Sequence, residues 1–334
     1  MAGPWRPDRY RALVSTVPQA GGAPVDGVPP LLARILDDAA LVSPGPRPEM
    51  TDVLDAHLDA RAGRYGGLLG SLVVPVSRLQ EFVAVLVKRR PGAPVPITLS
   101  VDTGLGGVPK ALSLTTSRSA LLTTGTVEMP APHDVDSVWL ERVTEFVPDD
   151  VVAVVEPRRP DADGSDDWIA GVRRVVGHGC RPKLRCGGNR AGVFPGVTDV
   201  SRFLAVVAAS GRSFTASLGL QGAARHVDPD TGFDHHGWLN LLVAVTRSLS
   251  AVPPTASGGP DDGGRGGTEV SVEPPAELVD AVRGALDATD AEVLAAEVAD
   301  VDASTALRVR AHLSSFGSTA PADQGAEMAR LGLV

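Results

Sequence analysis

The stretch VVAVVEPRRPDADGSDDWIAGVRRVVGHGCRPKLRCG, residues 151–187, decides the fold class. It begins with an apolar, valine-rich run at 151–156, continues with a helical pattern at 166–177, and closes on a second short run at 181–187. The first and third patterns are typical of strands and the second is typical of an amphipathic helix. A strand, a helix and a strand in this order predict a right-handed crossover between two parallel strands.

The same alternation extends in both directions from this unit. Four more short apolar runs predict strands at 68–76, 95–102, 119–129 and 213–219, and helical patterns lie at 77–89, 136–146, 197–210 and 237–250. Helical periodicity also marks 30–40 and 50–62 near the start, and 275–286, 289–299 and 303–313 near the end, just before SSFGS at 314–318. We expect an α/β protein with a (β/α)8-type barrel, and an open doubly wound parallel sheet is the alternative. Six strands can be assigned in this way, which leaves the last two unplaced.

The domain organisation follows from where this alternation stops. Residues 1–29 are rich in proline, glycine and polar groups and predict a flexible N-terminal arm. Residues 30–334 predict a single β/α domain, because 334 residues is an ordinary length for a barrel chain. Within it, residues 252–275 are dense in glycine, proline and aspartate, a composition that cannot pack a core and predicts a disordered loop.

Composition excludes several classes of function. The formal net charge is −9, so the acidic chain lacks the basic surface that a nucleic-acid-binding protein needs. Two cysteines cannot form a disulfide framework, and their number fits a reducing compartment. No apolar run is long enough to cross a membrane or to serve as a signal peptide. We therefore expect a soluble cytoplasmic protein without nucleic-acid or membrane partners, whose oligomeric state the sequence leaves open.

The predicted strands carry polar residues on one face each, because successive side chains of a strand point to opposite sides. These polar sets are Thr98, Ser100 and Asp102; Thr124, Thr126 and Glu128; Lys183 and Arg185; and Thr215 and Ser217, while Glu156 ends the 151–156 run. If the apolar faces meet the outer helices, the polar faces point into the barrel. The charged residues lie near the carboxyl ends of the strands, where barrel enzymes form their active sites. The same charges are also consistent with an ion-pair network that fixes the barrel.

Three kinds of chemistry fit these residues. Asp102, Glu128 and Glu156 would form a Mg²⁺ site, because Mg²⁺ prefers oxygen ligands. Lys183 would act as a catalytic residue, either by forming a Schiff base with a carbonyl substrate or by activating the substrate while Glu128, Glu156 and Asp102 supply acid–base groups. Alternatively, Lys183 and Arg185 would clamp an anionic ligand. The paired glycines that follow, Gly187 and Gly188, would let backbone N–H groups approach that anion.

The region 226–240 (HVDPDTGFDHHGWLN) contains three histidines and three aspartates. Their spacing matches no zinc or calcium template, and D-P-D-T-G is typical of a turn. We expect His236–Asn240 to begin a helix and Asn240 to reach the barrel mouth as a substrate-binding residue. Cys186 is on the apolar face of its strand, opposite Lys183 and Arg185, which argues against a nucleophilic role.

Several of these segments together resemble a bacterial protein family to which no activity is assigned. The shared segments are LDDAAL (36–41), KLRCGG (183–188), HGWLN (236–240) and FGS (316–318), in the same order from about residue 30 to the end. The family tends to have a histidine pair at the positions of Gln221 and Gly222, a proline pair where Val42–Ser43 stands, and a cysteine at the position of Thr319. The resemblance implies that this chain lacks the histidine pair best suited to acid–base or metal chemistry.

These observations lead to two functional hypotheses. The first is a barrel enzyme of lyase or isomerase type that acts on a small anionic carbon compound, at a carbon next to a carbonyl group. The second is a non-catalytic ligand-binding or scaffold protein that is derived from such an enzyme. The two differ in the arrangement of the carboxylates. They converge on a metal in the first case and pair one-to-one with Lys183 and Arg185 in the second.

Overall fold

The chain forms a closed parallel barrel, and the open-sheet alternative is wrong. The computed structural model describes residues 27–159, 165–251 and 274–334. Its ten strands are β1 (Leu36–Asp38), β2 (Leu69–Pro75), β3 (Val95–Ser100), β4 (Leu122–Pro130), β5 (Val152–Glu156), β6 (Arg181–Arg185), β7 (Phe214–Ser217), β8 (His226–Val227), β9 (Asp234–His235) and β10 (Leu313–Ser318). Strands β1 to β7 follow in sequence around the barrel, and β10 closes it between β7 and β1, with every pairing parallel. The short strands β8 and β9 form a separate antiparallel hairpin.

Helices connect the strands and cover the outside of the barrel. They are α1 (Met50–Ala62), α2 (Leu79–Arg89), α3 (Val108–Thr116), α4 (Ser137–Phe146), α5 (Ser165–Gly177), α6 (Val197–Ser210), α7 (Trp238–Ala251), α8 (Ala276–Leu286), α9 (Ala291–Ala299), α10 (Ala303–His312) and α11 (Pro321–Arg330). Several begin at an aspartate whose side chain accepts hydrogen bonds from the first free backbone N–H groups. Asp136 caps α4, Asp290 caps α9 and Asp302 caps α10 in this way.

The predicted strands and helices between residues 50 and 251 are confirmed, with bounds that shift by up to three residues. The helix predicted at 30–40 is wrong, because this segment holds β1 and a short 3-10 turn at Ala40–Val42. A strand of three residues is too short to show alternation, and its pairing with β2 and β10 outweighs the local helical pattern. One of the two unplaced strands is thus β1 and the other is β10, which contains the SSFGS segment.

The apolar core lies between the barrel and its helices. Aromatic rings fill part of it: Trp168 stacks on Phe203 at 5.9 Å between centroids, and Phe203 meets Phe214 edge-on at 5.2 Å. Trp238 of α7 stacks on Phe316 of β10 at 6.4 Å. Because Phe214 and Phe316 take the outward faces of β7 and β10, the polar residues next to them on these two strands face the barrel interior.

Among the described residues, one helical stretch, Ala191–Ser210, passes a length and composition test for crossing a membrane. This stretch contains α6, whose residues Phe203, Leu204 and Val207 are buried against the barrel.

Two predicted features fall largely outside the described residues. Residues 1–26 of the predicted arm and residues 252–273 of the predicted loop are not among them. Both therefore stay predictions, as does the single-domain organisation.

Candidate functional site

A cavity of about 260 Å³ opens at the carboxyl ends of the barrel strands. Ionisable side chains from four strands and one following loop line it: Asp37, Asp102, Glu128, Glu156, Lys183 and Arg185. Smaller polar residues complete the wall, among them Ser100, Thr215 and Ser217. The structure therefore brings the predicted charged residues to one place, at the end of the barrel where active sites form.

Lys183 lies at the centre of this charged group. Its Nζ donates a hydrogen bond to Oε2 of Glu128 at 2.7 Å, and both side chains are mostly buried, at 13% and 12% exposure. Burial alone lowers the pKa of Lys183, but Glu128, Glu156 and Asp37 outweigh that effect, so this pKa lies above its ordinary value. Lys183 is thus a stable ammonium ion at neutral pH. The predicted Schiff-base role does not fit this arrangement, because imine formation needs an unprotonated amine.

Asp37 of β1 is a site residue that the sequence analysis missed. Its Oδ1 accepts hydrogen bonds from the backbone N–H and the hydroxyl of Ser71, at 2.8 and 2.9 Å, and its Oδ2 accepts one from the hydroxyl of Ser315. Ser71 in turn shares a hydrogen bond of 2.8 Å with Thr98. Burial raises the pKa of Asp37 more than these hydrogen bonds lower it, and the negative charge of Glu128 raises it further. A carboxylate that burial destabilises is a stronger base than a solvated one, which suits proton transfer.

The available signal for Asp37 was its place in the LDDAAL segment. The helical pattern at 30–40 covers most of that segment, and a residue on an outer helix does not reach the barrel interior.

Arg185 and Glu156 form a second ion pair nearer to solvent. The Nε of Arg185 donates to Oε1 of Glu156 at 2.7 Å, and 44% of the Arg185 side chain is exposed. The two terminal guanidinium nitrogens of Arg185 make no hydrogen bond to another described residue. They are therefore available to a ligand.

The predicted Mg²⁺ site is not formed. Asp102 accepts hydrogen bonds from the backbone N–H and hydroxyl of Ser77, while Glu128 and Glu156 are each held by a cation. Within the described part of the chain, no group of three or more histidine, cysteine, aspartate or glutamate side chains is arranged to hold a metal ion. A divalent cation would also have to displace the ammonium of Lys183 from Glu128, which like-charge repulsion opposes.

Asn240 does not reach the barrel mouth, and its predicted substrate-binding role is wrong. It is fully buried, with Oδ1 accepting from the N–H of Gly237 at 2.9 Å. Its Nδ2 donates to the carbonyls of Ala285 and Ala288 at 2.7 and 2.8 Å. Asn240 therefore caps α7 and ties it to the end of α8.

The two glycines after β6 have different surroundings. A Cβ on Gly187 would lie 2.6 Å from the Cα of Gly219, so this position serves close packing between the loops after β6 and β7. A Cβ on Gly188 would lie 3.7 Å from Nη1 of Arg185 but only 2.8 Å from Val193. Gly188 is therefore the glycine that borders a charged group, and its predicted contact with a ligand stays a prediction.

The histidine-rich region forms the β8–β9 hairpin instead of a metal centre. His226 pairs with His235 across the hairpin and their rings stack at 5.5 Å, while Asp234 is bound by Arg225. Burial lowers the pKa of His235 and of His236. Cys186 is buried outside the cavity, and burial raises the pKa of its thiol to about 12, which agrees with the prediction that it is no nucleophile.

The fold and the site define a class: a β/α barrel with an ionised polar cavity at the carboxyl ends of its strands. No protein-family model matches the sequence, and no curated protein matches it. Among solved structures, the chain is similar to the UMP synthase of Leishmania donovani, at 12% sequence identity and a TM-score of 0.39. The match covers 70% of this chain and 47% of that one, so the chain spans about half the length of the other protein. Nothing about activity transfers at this level of similarity.

Proposed function

We propose that this protein is an enzyme of isomerase or lyase type that moves a proton at a carbon next to a carbonyl group of a small anionic compound. One observation carries the proposal. A lysine that is charged at neutral pH, Lys183, lies among carboxyl groups beside a cavity large enough for a small metabolite. Charges enclosed in this way cost stability, and such clusters are typical of active sites.

The proposed reaction begins with proton transfer to Asp37. Its carboxylate takes the proton from the carbon next to the carbonyl, and the electron pair of that C–H bond forms a C=C double bond. The carbonyl π electrons move onto oxygen, and the ammonium of Lys183 stabilises the resulting enolate. In an isomerase, the substrate carries a hydroxyl group on the carbon that loses the proton, and the proton of that hydroxyl passes to the enolate oxygen. Asp37 then returns its proton to the former carbonyl carbon, and the neighbouring oxygen becomes the new carbonyl. In a lyase, the enolate re-forms the carbonyl and expels a leaving group from the β carbon, and that group takes the proton from Asp37.

The other charged residues support these two. Glu128 holds the Lys183 ammonium through the 2.7 Å hydrogen bond and acts as a positioning residue. Glu156 orients Arg185 through its Nε, which leaves the terminal nitrogens to bind an anionic group of the substrate. This assigns Glu128 and Glu156 to positioning, whereas the sequence analysis gave them acid–base roles.

The second candidate function is non-catalytic ligand binding by a barrel derived from such an enzyme. The observation that favours it is the one-to-one pairing of the cavity's cations, Lys183 with Glu128 and Arg185 with Glu156. This is the arrangement that we expected of a structural ion-pair network. The cavity fits both candidates. Asp37 favours the enzyme, because this carboxyl group at the cavity is held by hydrogen bonds from Ser71 and Ser315 and not by an ion pair with another described residue.

Hydrogen exchange tests the proposal without knowledge of the product. The protein is incubated in D₂O with a panel of small 2-oxo and 2-hydroxy acids and their phosphate esters, and loss of C–H signals is followed by proton NMR. We expect exchange at the carbon next to the carbonyl in at least one compound. Asp37→Asn and Lys183→Met should abolish it, whereas Arg142→Gln, an exposed substitution on α4, should not.

The outcomes separate the two candidates. Exchange that survives in Asp37→Asn would remove Asp37 from the mechanism. A panel with no exchange, in which a compound nevertheless stabilises the wild type but not Lys183→Met, would favour non-catalytic binding. A ligand at a hundred times its dissociation constant stabilises by about 2.7 kcal/mol, which a thermal unfolding scan detects.

A further inference from the structure

A second cavity, of about 310 Å³, lies between the loops that follow β5 and β6. It shares Pro130, Glu156 and Arg185 with the barrel cavity, so the two spaces adjoin at the Arg185–Glu156 ion pair. We call it the arginine cleft, because Arg158, Arg159, Arg185 and Arg190 line it.

The two spaces differ in charge. The barrel cavity is lined by four acidic residues and two basic ones, and the arginine cleft by four basic residues and one acidic one. An anionic group is therefore repelled from the interior of the barrel and attracted to the cleft.

We propose that the arginine cleft binds a phosphate group of the substrate, so that the enzyme acts on a phosphorylated carbonyl compound. This inference rests on the proposed function and names its substrate class. The reacting carbons lie in the barrel cavity beside Lys183, and the phosphate lies outside it between Arg158 and Arg185.

The cleft supplies guanidinium groups with unused hydrogen-bond donors. Arg158 is exposed and makes no hydrogen bond to another described residue. The terminal nitrogens of Arg185 likewise make no hydrogen bond to another described residue. Two guanidinium groups carry two positive charges and can each form paired hydrogen bonds. A phosphate dianion matches both properties better than a single carboxylate does.

The other features of the cleft keep it open and rigid. Arg159 is used internally, since it binds Asp199 at 2.8 Å and the carbonyl of Gly192 at 3.1 Å, which ties the loop after β5 to the segment after β6. Gly188 has no side chain to fill the space beside Nη1 of Arg185. The buried indole of Trp168 forms part of the wall.

Calorimetric titration with inorganic phosphate tests the inference, with acetate as the carboxylate probe. We expect phosphate to bind the wild type more tightly than acetate does. Arg158→Gln and Arg185→Gln should each weaken phosphate binding by about tenfold or more, as expected for loss of a charge-assisted hydrogen bond. Arg142→Gln should leave it unchanged, and Arg158→Lys should restore part of it. Circular dichroism confirms that each variant is folded.

Four results would overturn the inference. The first is phosphate binding by Arg158→Gln that is as tight as binding by the wild type. The second is loss of phosphate binding in Lys183→Met alone, because the anion would then lie inside the barrel. Equal binding of acetate and phosphate would mark a carboxylate site. No phosphate binding to the wild type would also end it. If unphosphorylated compounds still exchange hydrogen in D₂O, only the phosphate site has failed and the proton-transfer proposal stands.

Discussion

Replacement of Lys183 by methionine should destabilise the protein by leaving the Glu128 carboxylate without its partner. Both side chains are almost 90% buried, and removal of one member of a buried pair costs about 3–5 kcal/mol. Because the adjoining cavity admits some water to Glu128, we expect the lower end, about 3 kcal/mol. In a chain of this length 1 kcal/mol corresponds to about 2 °C, so the midpoint should fall by roughly 6 °C.

The pH of this measurement follows from the raised pKa of Lys183. A group whose pKa is higher in the folded than in the unfolded protein stabilises the folded state. This stabilisation is complete at a pH below the unfolded pKa, here 10.5, and it is lost as the pH rises through the folded pKa. Unfolding at pH 7 therefore records the whole effect.

A double-mutant cycle identifies the cause of the loss. Glu128→Gln in the Lys183→Met background should recover at least half of the lost stability, because no buried charge then remains unpaired. Lys110→Met, at an exposed position of α3, controls for the loss of a lysine. A Lys183→Met variant within about 0.5 kcal/mol of the wild type would refute the reasoning, since surface-like substitutions cost that little.

Three further predictions concern the groups around the barrel. Asn240→Ala should cost about 3 kcal/mol in chemical denaturation, since it leaves two carbonyls and one N–H buried without partners. Gly219→Ala should cost more than about 2 kcal/mol by the same assay, because this residue has a φ of +67° and a Cβ would lie 2.4 Å from the Cys186 carbonyl oxygen. Neither Cys180 nor Cys186 should react with a thiol reagent at pH 8 until the protein unfolds, because burial raises the pKa of these thiols to about 11 and about 12.

Matched controls accompany these experiments. Gln80→Ala removes an exposed amide and Gly92→Ala adds a methyl group to open space, so both should leave stability nearly unchanged. A Gly219→Ala protein as stable as Gly92→Ala would show that the loop after β7 relaxes freely. Rapid reaction of a thiol in the folded protein would show that its strand opens to solvent.

Most of the barrel could be predicted from the sequence because its middle strands alternate strictly with amphipathic helices. The two strands that close it could not. Strand β1 has three residues, and β10 directly follows a helix without an intervening loop. Both are defined by their pairing with distant strands, and local periodicity does not contain that information.

For the candidate site, the directions of the side chains could be predicted better than their ion-pair partners. Alternation placed Glu128, Lys183 and Arg185 on inward faces, and the structure brings them together at the cavity. The one-to-one ion pairs depend on the positions of neighbouring strands, which alternation within one strand does not give. The position of Asn240 was predicted wrongly because the first turn of a helix after β7 can face either the barrel mouth or a neighbouring helix. In the structure, Asn240 faces the end of α8.

The opposite charges of the two adjoining cavities restrict how a substrate can be oriented. A compound with an anionic tail would enter the barrel with its uncharged carbonyl end, because the acidic interior repels the tail while the arginines outside attract it. Arg185 and Glu156 stand at the boundary, so an anion bound to Arg185 lies next to the Glu156 carboxylate. That repulsion is strongest when the anion moves inward and weakest when it stays near Arg158. The Arg185–Glu156 ion pair at the mouth would therefore orient the substrate, with its anionic end outside the barrel, before the reaction begins.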